Sequence, residues 1–352
     1  MNRTPDFLII GQGLAGSLLA WELIKRKQQV IIVDNGEINA SQVAAGLINP
    51  VTGMRFVKSF DVDLLLPFAK NSYQQLTQYF QQDFYIEKTM LRLLRNEKEL
   101  LACQKRLIQP DYQQYLEKIT ASTSSINASH GILNQTQTGY LLTQSLLSNL
   151  KHYFISNNCY IKTHICYDEI TLSPIVRWKN FQPKNIIFCE GHMATHNPWF
   201  SYLPFQAVKG EIITATSTQP IQQNILNYGH WFIPLDDYQF RTGATFDRED
   251  LSSNTSQAAK ETLLSSLKQA YTTLPNSSIV KHQAGVRPST LDKQPFIGKH
   301  PQHNSLHIFN GFGAKGSLQI PFYCHALANS LLVNETIPSS CNILRYNSLY
   351  ST

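Results

Sequence analysis

The stretch from Phe7 to Asp34 constrains this chain most. It reads Phe7-Leu-Ile-Ile-Gly-Gln-Gly-Leu-Ala-Gly16, then a helical run to about Arg26, then Val30-Ile-Ile-Val-Asp34. An apolar run, three glycines at G-x-G-x-x-G spacing, a helix and a second apolar run ending in an acid predict a βαβ unit that holds a dinucleotide. Gly11 permits the tight turn out of the first strand. Gly13 carries no side chain to block a pyrophosphate, and Gly16 lets the helix pack closely on the strand. The helix N-terminus, with Leu14 and Ala15 in its first turn, offers backbone N–H groups and a partial positive charge to phosphates. Asp34 suits the two ribose hydroxyls of an adenosine and disfavours NADP, whose 2′-phosphate it would repel. The motif alone does not separate NAD from FAD, and an ordinary βαβ unit without nucleotide can share it.

With 352 residues the chain has room for two domains, or for one large α/β domain with an insertion. Lys and Arg number 30 against 24 Asp and Glu, a formal charge of +6. That balance suits an anionic cofactor or substrate. No basic block and no basic stripe interleaved with aromatics is present, so the charge permits nucleic acid without arguing for it. None of the six cysteines forms a C-x-x-C pair or stands at metal-finger spacing. The expectation is therefore no metal site and reduced thiols in a cytoplasmic protein. The N-terminal apolar run is broken by glycines, and no stretch approaches about 18 uninterrupted apolar residues, so neither a signal peptide nor a membrane span is expected.

Asn35-Gly36 reads as a turn. Ala40 to Pro50 is rich in small residues, with Ala44, Ala45 and Gly46 at its centre, and lets a flat ring or another backbone approach closely. Leu64, Leu65, Phe68, Tyr73, Leu76 and Phe80 give an apolar face to a helix over 62–82. Strand over 84–95, helix over 96–106, loop over 120–138 and a helix from Thr143 follow. Tyr160 to Ile165 and Lys184 to Gly191 read as strands that resume α/β alternation. Residues 200–250 read as antiparallel strands, with Asp236-Asp237 as a hairpin turn. After a helix near 256–271 come Gly285-Val-Arg-Pro288, strand 306–310 and a second glycine turn, Gly311-Phe-Gly-Ala-Lys-Gly-Ser317, that opens a helix. Such a turn is anion-friendly, and Lys315 adds a cation beside it.

Together these motifs resemble the FAD-dependent oxidoreductases of the D-amino-acid oxidase / glycine oxidase superfamily. The resemblance covers nearly the whole chain. It rests on Gly11 to Gly16 with Asp34, Ala44-Ala-Gly46, Cys189-Glu-Gly191, Gly243-Ala-Thr245, Gly285-Val-Arg-Pro288 with Asp292 and Pro295-Phe-Ile-Gly298, and Asn310-Gly-Phe-Gly-Ala-Lys-Gly316. Two stretches, Ala44 to Pro50 and Gly311 to Gly316, are similar to the oxidase domain of the bifunctional enzyme that modifies the tRNA wobble uridine. No counterpart of that enzyme's methyltransferase half is expected in these 352 residues.

The resemblance implies an α/β fold: a Rossmann-like FAD-binding domain from 1–60, 143–198 and 281–345, with an inserted, mostly antiparallel α+β substrate-binding domain from 61–142 and 199–280. It implies FAD contacts at Gly11, Gly13, Leu14, Ala15, Gly16, Asp34, Asn35, Ala44, Ala45, Gly46, Ile165, Gly191, Gly311, Gly313, Ala314, Lys315, Gly316 and Ser317. The implied reaction is oxidation of a small amine or amino acid by hydride transfer to flavin N5, giving an imine and, with oxygen, hydrogen peroxide. A carboxymethylaminomethyl-type wobble uridine in tRNA is the alternative substrate. Arg287 matches the position that holds a substrate carboxylate; pairing with Asp292 is its structural alternative. Glycine oxidase has a second arginine where this chain has Ala314, with Lys315 beside it. Strand alternation puts Tyr228 and His230 on one face toward the amine and leaves Trp231 to core packing.

Overall fold

The computed structural model describes residues 3–350. Contacts divide the chain into two compact units, Met1–Gln42 with Thr143–Val208 and Val286–Thr352, and Val43–Leu142 with Lys209–Gly285. The fold is mixed α/β.

In the first unit the strands lie in the order Tyr160–Lys162, Val30–Asp34, Phe7–Ile10, Asn185–Phe188, Leu306–Asn310, Phe296–Lys299. The first five are parallel and the last is antiparallel to its neighbour. Phe7–Ile10 is buried along its length, as a parallel strand covered on both faces must be. Helix Leu14–Lys25 packs on Gly316–Val333 and Thr143–Ser156, burying Leu18, Leu19 and Leu23. The chain steps outward from Phe7–Ile10 in one direction and later from Asn185–Phe188 in the other. The gap between these two strands is the switch point at whose carboxyl edge ligands of such sheets bind.

Just past Asn185–Phe188 a buried carboxyl ties the edge together. Glu190 accepts hydrogen bonds from the Tyr167 hydroxyl at 2.8 Å and from Asn197 Nδ2 at 2.8 Å. Asn197 Oδ1 in turn accepts from the N–H groups of Trp199 and Phe200. Phe188, Trp199 and Phe200 pack ring to ring around this knot.

The second unit is built on an eight-stranded sheet in the order Ser277–Arg287, Val208–Ser217, Gln239–Gly243, Trp231–Pro234, Ile225–Asn227, Met90–Leu93, Ile132–Gln135, Leu116–Thr120. One pair, Ile225–Asn227 with Met90–Leu93, is parallel. Alternation gives the sheet two apolar faces. One carries Leu226, Phe232 and Phe240 against Leu263 and Leu267 of helix Gln257–Ala270. The other carries Met90, Ile225 and Ile233 with Tyr140. The helix expected over 62–82 is Val62–Phe80. It buries Val62 and Leu66, while Leu64, read into its apolar face, is 53% exposed.

The unit boundaries differ from those read in the sequence. Residues 43–60 lie with the second unit, 199–208 with the first and 281–285 with the second. Long-range pairing is the reason for the first of these. Leu47–Ile48 pairs with Gly139–Leu141, Gln135 Nε2 donates to the Val51 carbonyl at 3.1 Å, and Arg92 donates to the Gly53 carbonyl at 2.8 Å. The Arg92 guanidinium also lies 3.9 Å from the Phe56 ring centre.

Burial pushes the Glu190 carboxyl up to about 7, against two hydrogen bonds that favour the anion. The unfolded chain loses this proton near the ordinary value of 4.5 while the folded chain holds it to about 7, so this contribution is present below pH 4.5 and is lost as pH rises. Across that window the wild type is predicted to lose up to about 3 kcal/mol from this group. Glu190→Gln removes the titration; its one amide oxygen can accept from Asn197 Nδ2 while its NH2 donates to the Tyr167 hydroxyl oxygen. Its melting temperature between about pH 5 and 7.5 is expected to fall less steeply than the wild type's, and parallel curves would contradict this reading.

Candidate cofactor and substrate site

In the first unit the glycine turn is fixed by contacts that exclude any side chain. Gly11 has φ +103°, and a methyl there would stand 2.5 Å from the Cys189 carbonyl oxygen. A methyl on Gly16 would stand 2.0 Å from the Gly11 carbonyl oxygen. At Gly13, by contrast, the nearest atom to an added methyl is Ser41 Oγ at 3.3 Å. Gly13 is the N-cap of helix Leu14–Lys25 and leaves that end without a side-chain cap of its own. The Leu14 N–H donates to Ser41 Oγ at 3.0 Å, so a hydroxyl from a separate stretch reaches the phosphate-binding end of the helix.

Asp34 is held in place by its own neighbours. Its Oδ2 accepts from the Gln12 N–H at 2.9 Å and its Oδ1 from the Gly36 N–H at 2.7 Å. A carboxylate has about four lone-pair sites, so capacity remains for two ribose hydroxyls. Gln12 is itself buried, its Nε2 donating to Ser17 Oγ and to the Leu147 carbonyl. Asn35 closes an exposed turn by accepting from the Glu37 N–H. The strand read to Ile165 stops at Lys162. Ile165 lies half-buried beyond it, after Thr163 donates its N–H to the Asp34 carbonyl.

The second glycine turn is joined to the sheet by one side chain. Asn310 Nδ2 donates to the Gly191 carbonyl at 2.8 Å and its Oδ1 accepts from the Gly311 N–H at 2.8 Å. The Gly313 N–H donates to the Pro288 carbonyl at 3.2 Å, which sets the Arg287 end of strand Ser277–Arg287 beside this turn. Helix Gly316–Val333 begins there, with Lys315 as N-cap, Ser317 buried and Ala314 exposed. Lys315 is half-buried and forms no ion pair among the described residues; burial, with help from Lys293, pulls its pKa down. Burial alone pulls down that of Arg287. Asp292 is taken by Arg345, Nε to Oδ2 at 2.8 Å.

In the second unit Ala44, Ala45 and Gly46 follow a single helical turn, Ala40–Val43. Ala45 packs against the cluster of Met90, Tyr140, Ile225 and Ile233. The placement of Tyr228 and His230 on one strand face is corrected. Both lie in the turn between Ile225–Asn227 and Trp231–Pro234, where Gly229 takes φ +105°. Tyr228 packs into the cluster under helix Gln257–Ala270, its hydroxyl 2.8 Å from Thr242 Oγ1, and burial pushes its pKa up. His230 Nδ1 lies 3.2 Å from the Ala244 carbonyl. Trp231, expected in core packing, packs against the cluster of Met90, Tyr140, Ile225 and Ile233.

Ser41, Gln12, Asn310 and Glu190 were given no role from the sequence. Only Ser41 had a local signal: Asn39, whose Oδ1 accepts from the N–H groups of Ser41 and Gln42, is a helix-capping residue type. Among the described residues no group of three His, Cys, Asp or Glu is gathered to hold a metal, and no helix is long and apolar enough to cross a membrane.

The donor set fits an adenine dinucleotide: a helix end whose N-cap, Gly13, has no side chain and is open, and a fixed carboxylate at the neighbouring strand end. Gly16→Ala is predicted to cost several kcal/mol, because backbone rather than a flexible side chain stands in the way. The variant should purify colourless or unfold well below the wild type, as read by absorbance and melting temperature. A wild-type spectrum and melting point would contradict the packing.

The family model DAO, FAD dependent oxidoreductase, matches residues 6–330. Glycine oxidase of Pseudomonas aeruginosa is 21% identical over 351 residues, covering 94% of this chain and 95% of that protein. The tRNA 5-methylaminomethyl-2-thiouridine biosynthesis bifunctional protein MnmC of Legionella pneumophila is 24% identical over 94% of this chain, which spans 54% of that protein. Among solved structures, glycine oxidase from Geobacillus kaustophilus superposes with a TM-score of 0.83 at 19% identity, covering 95% of this chain and 96% of that one. Iminodiacetate oxidase from Chelativorans gives 0.77 at 19% identity, covering 97% and 98%. With its motifs, its fold and a match that spans most of its length, the chain belongs to the FAD dependent oxidoreductase family, DAO.

Proposed function

We propose that this protein oxidises a small amine that carries a carboxylate, such as an amino acid. Arg287 carries the reading. It ends strand Ser277–Arg287 beside the second glycine turn, and burial lowers the pKa of its guanidinium. The carboxylate nearest in sequence, Asp292, is bound by Arg345 instead. A planar fork of N–H donors in a dry setting suits a carboxylate bidentately. Bound at the glycine turn and Asp34, FAD would supply the two-electron oxidation of the amine C–H bond, with oxygen as final acceptor.

The chain's own residues do the binding and the electrostatics. Gly13, Leu14 and Ser41 receive the pyrophosphate, and Asp34 receives the ribose. Arg287 orients the substrate through its carboxylate, and Lys315 adds positive charge where glycine oxidase has an arginine nearby. A carboxymethylaminomethyl uridine also joins a carboxylate to a secondary amine, so Arg287 would serve it in the same way. It belongs in the substrate panel as the nucleoside and in tRNA, where salt-sensitive binding would mark an RNA substrate.

Two charge-assisted hydrogen bonds are worth about 3 kcal/mol together, or about 100-fold. Arg287→Ala should therefore lower kcat/KM about 100-fold for glycine, sarcosine and iminodiacetate, with the flavin spectrum retained. Arg287→Lys should fall between. Amines without a carboxylate should respond little. Unchanged kinetics on every carboxylate-bearing amine would refute the role.

A further inference from the structure

The first unit buries a hydroxyl that the reading above does not use. Tyr160 opens strand Tyr160–Lys162, which runs parallel to Val30–Asp34. Tyr160 is in register with Ile32, and Lys162 with Asp34. Paired residues share a face, and so do residues two apart, so the Tyr160 and Asp34 side chains lie on one face of the sheet. The Tyr160 ring is half-buried, with Lys151 Nζ 4.9 Å from its centre. Its hydroxyl oxygen is buried and has no hydrogen-bond partner among the described residues. A buried hydroxyl left unpaired is costly. Burial, and then the Asp34 carboxylate, push its pKa up to about 12. The hydroxyl therefore stands by that carboxylate and keeps its proton at neutral pH, without closing a hydrogen bond to it.

The chemistry of a sugar hydroxyl fits this pair of groups. Asp34 already accepts from the Gln12 and Gly36 N–H groups, one on each oxygen. Its remaining lone pairs suit further donors, and a ribose hydroxyl is one. A hydroxyl that donates its proton still has lone pairs of its own, which call for a donor on the protein. The orphaned Tyr160 O–H is such a donor beside the carboxylate at this strand end. A lysine or arginine in its place would pair with Asp34 and draw it away from the sugar. A neutral phenol supplies a proton without that competition.

We propose that Tyr160 is a specificity-determining residue of the nucleotide site: its hydroxyl donates to the oxygen of the ribose hydroxyl that itself donates to Asp34. This rests on the reading of Gly11 to Asp34 as a dinucleotide site and brings a third strand of the same sheet into it. The sugar is then read in both directions, once as donor and once as acceptor. A sugar that lacks this hydroxyl leaves the tyrosine as unpaired as it is in the empty site.

The experiment uses the full chain, stripped of flavin and reloaded, and compares wild type with Tyr160→Phe, which keeps the ring and its contact with Lys151. The FAD dissociation constant is read by flavin fluorescence, and the melting temperature is read on the flavin-free protein. Tyr160→Phe is expected to weaken FAD about fivefold, the size of one neutral hydrogen bond. The flavin-free variant should melt at the wild-type temperature or above it, because a hydroxyl without a partner has been removed. A hydroxyl that served only the fold would give the opposite pair of results, a lower melting temperature with unchanged affinity. ADP, 2′-deoxy-ADP and 3′-deoxy-ADP then compete with FAD. The wild type's preference for ADP over one of the deoxy forms should shrink about fivefold in Tyr160→Phe. FAD affinity within twofold of the wild type's, or the same preference for ADP in both proteins, would overturn the proposal. A variant that does not fold would also overturn it, since the folded chain would then depend on the hydroxyl already. A wild type that takes up neither FAD nor ADP overturns the dinucleotide reading as well, whereas a wild type that binds both beside an unaffected variant overturns this inference alone.

Discussion

The closest backbone approach in the first unit sets the positions of the rest. Helix Leu14–Lys25 lies so near strand Phe7–Ile10 that the Gly16 Cα faces the Gly11 carbonyl with no room for a methyl between them. That approach puts the helix N-terminus at the carboxyl edge of the sheet, where Asp34, Gly191 and the turn after Asn310 also end. Backbone N–H groups, the helix dipole and a fixed carboxylate then meet at one edge without any long side chain having to reach. A larger residue at either glycine would move the helix end, and with it the phosphate-binding donors.

Charge placement around this edge follows a common physical rule. Water-excluded ions are costly alone, so each is either neutralised, paired or held in wait for a ligand. Glu190 takes the first course, with its carboxyl pushed toward the neutral form inside a cage of aromatic rings. Asp292 and Arg345 take the second. Arg287, Lys315 and Arg241 are cations whose pKa values burial pulls down. Lys315 has no ion pair among the described residues, an arrangement that suits an anionic ligand at this edge of the first unit.

Much of the first unit was legible because its signals are local. Glycine spacing, apolar runs and a terminal acid lie within Phe7 to Asp34, and the helix and strand types along the rest of the chain follow from periodicity. The failures share a cause. Residues 43–60 were joined to the first unit because their pairing with Gly139–Leu141 and with Arg92 is distant in sequence. Tyr228 and His230 were given a shared strand face because alternation was carried through Gly229, whose positive φ marks a turn instead. Ser41 and Asn310 reach their partners across gaps that no local pattern spans. The resemblance to a flavoenzyme family found the glycine turns and Arg287, but it said nothing of the residues that hold those groups in place.

The most direct measurement is the cofactor content of the purified wild-type chain, by absorbance before and after denaturation with chromatography of what is released. The account predicts a yellow protein that carries FAD at one per chain. A colourless chain that takes up no added FAD, though folded by its melting curve, would contradict it and leave Gly11 to Asp34 as a site for another adenine nucleotide or for none.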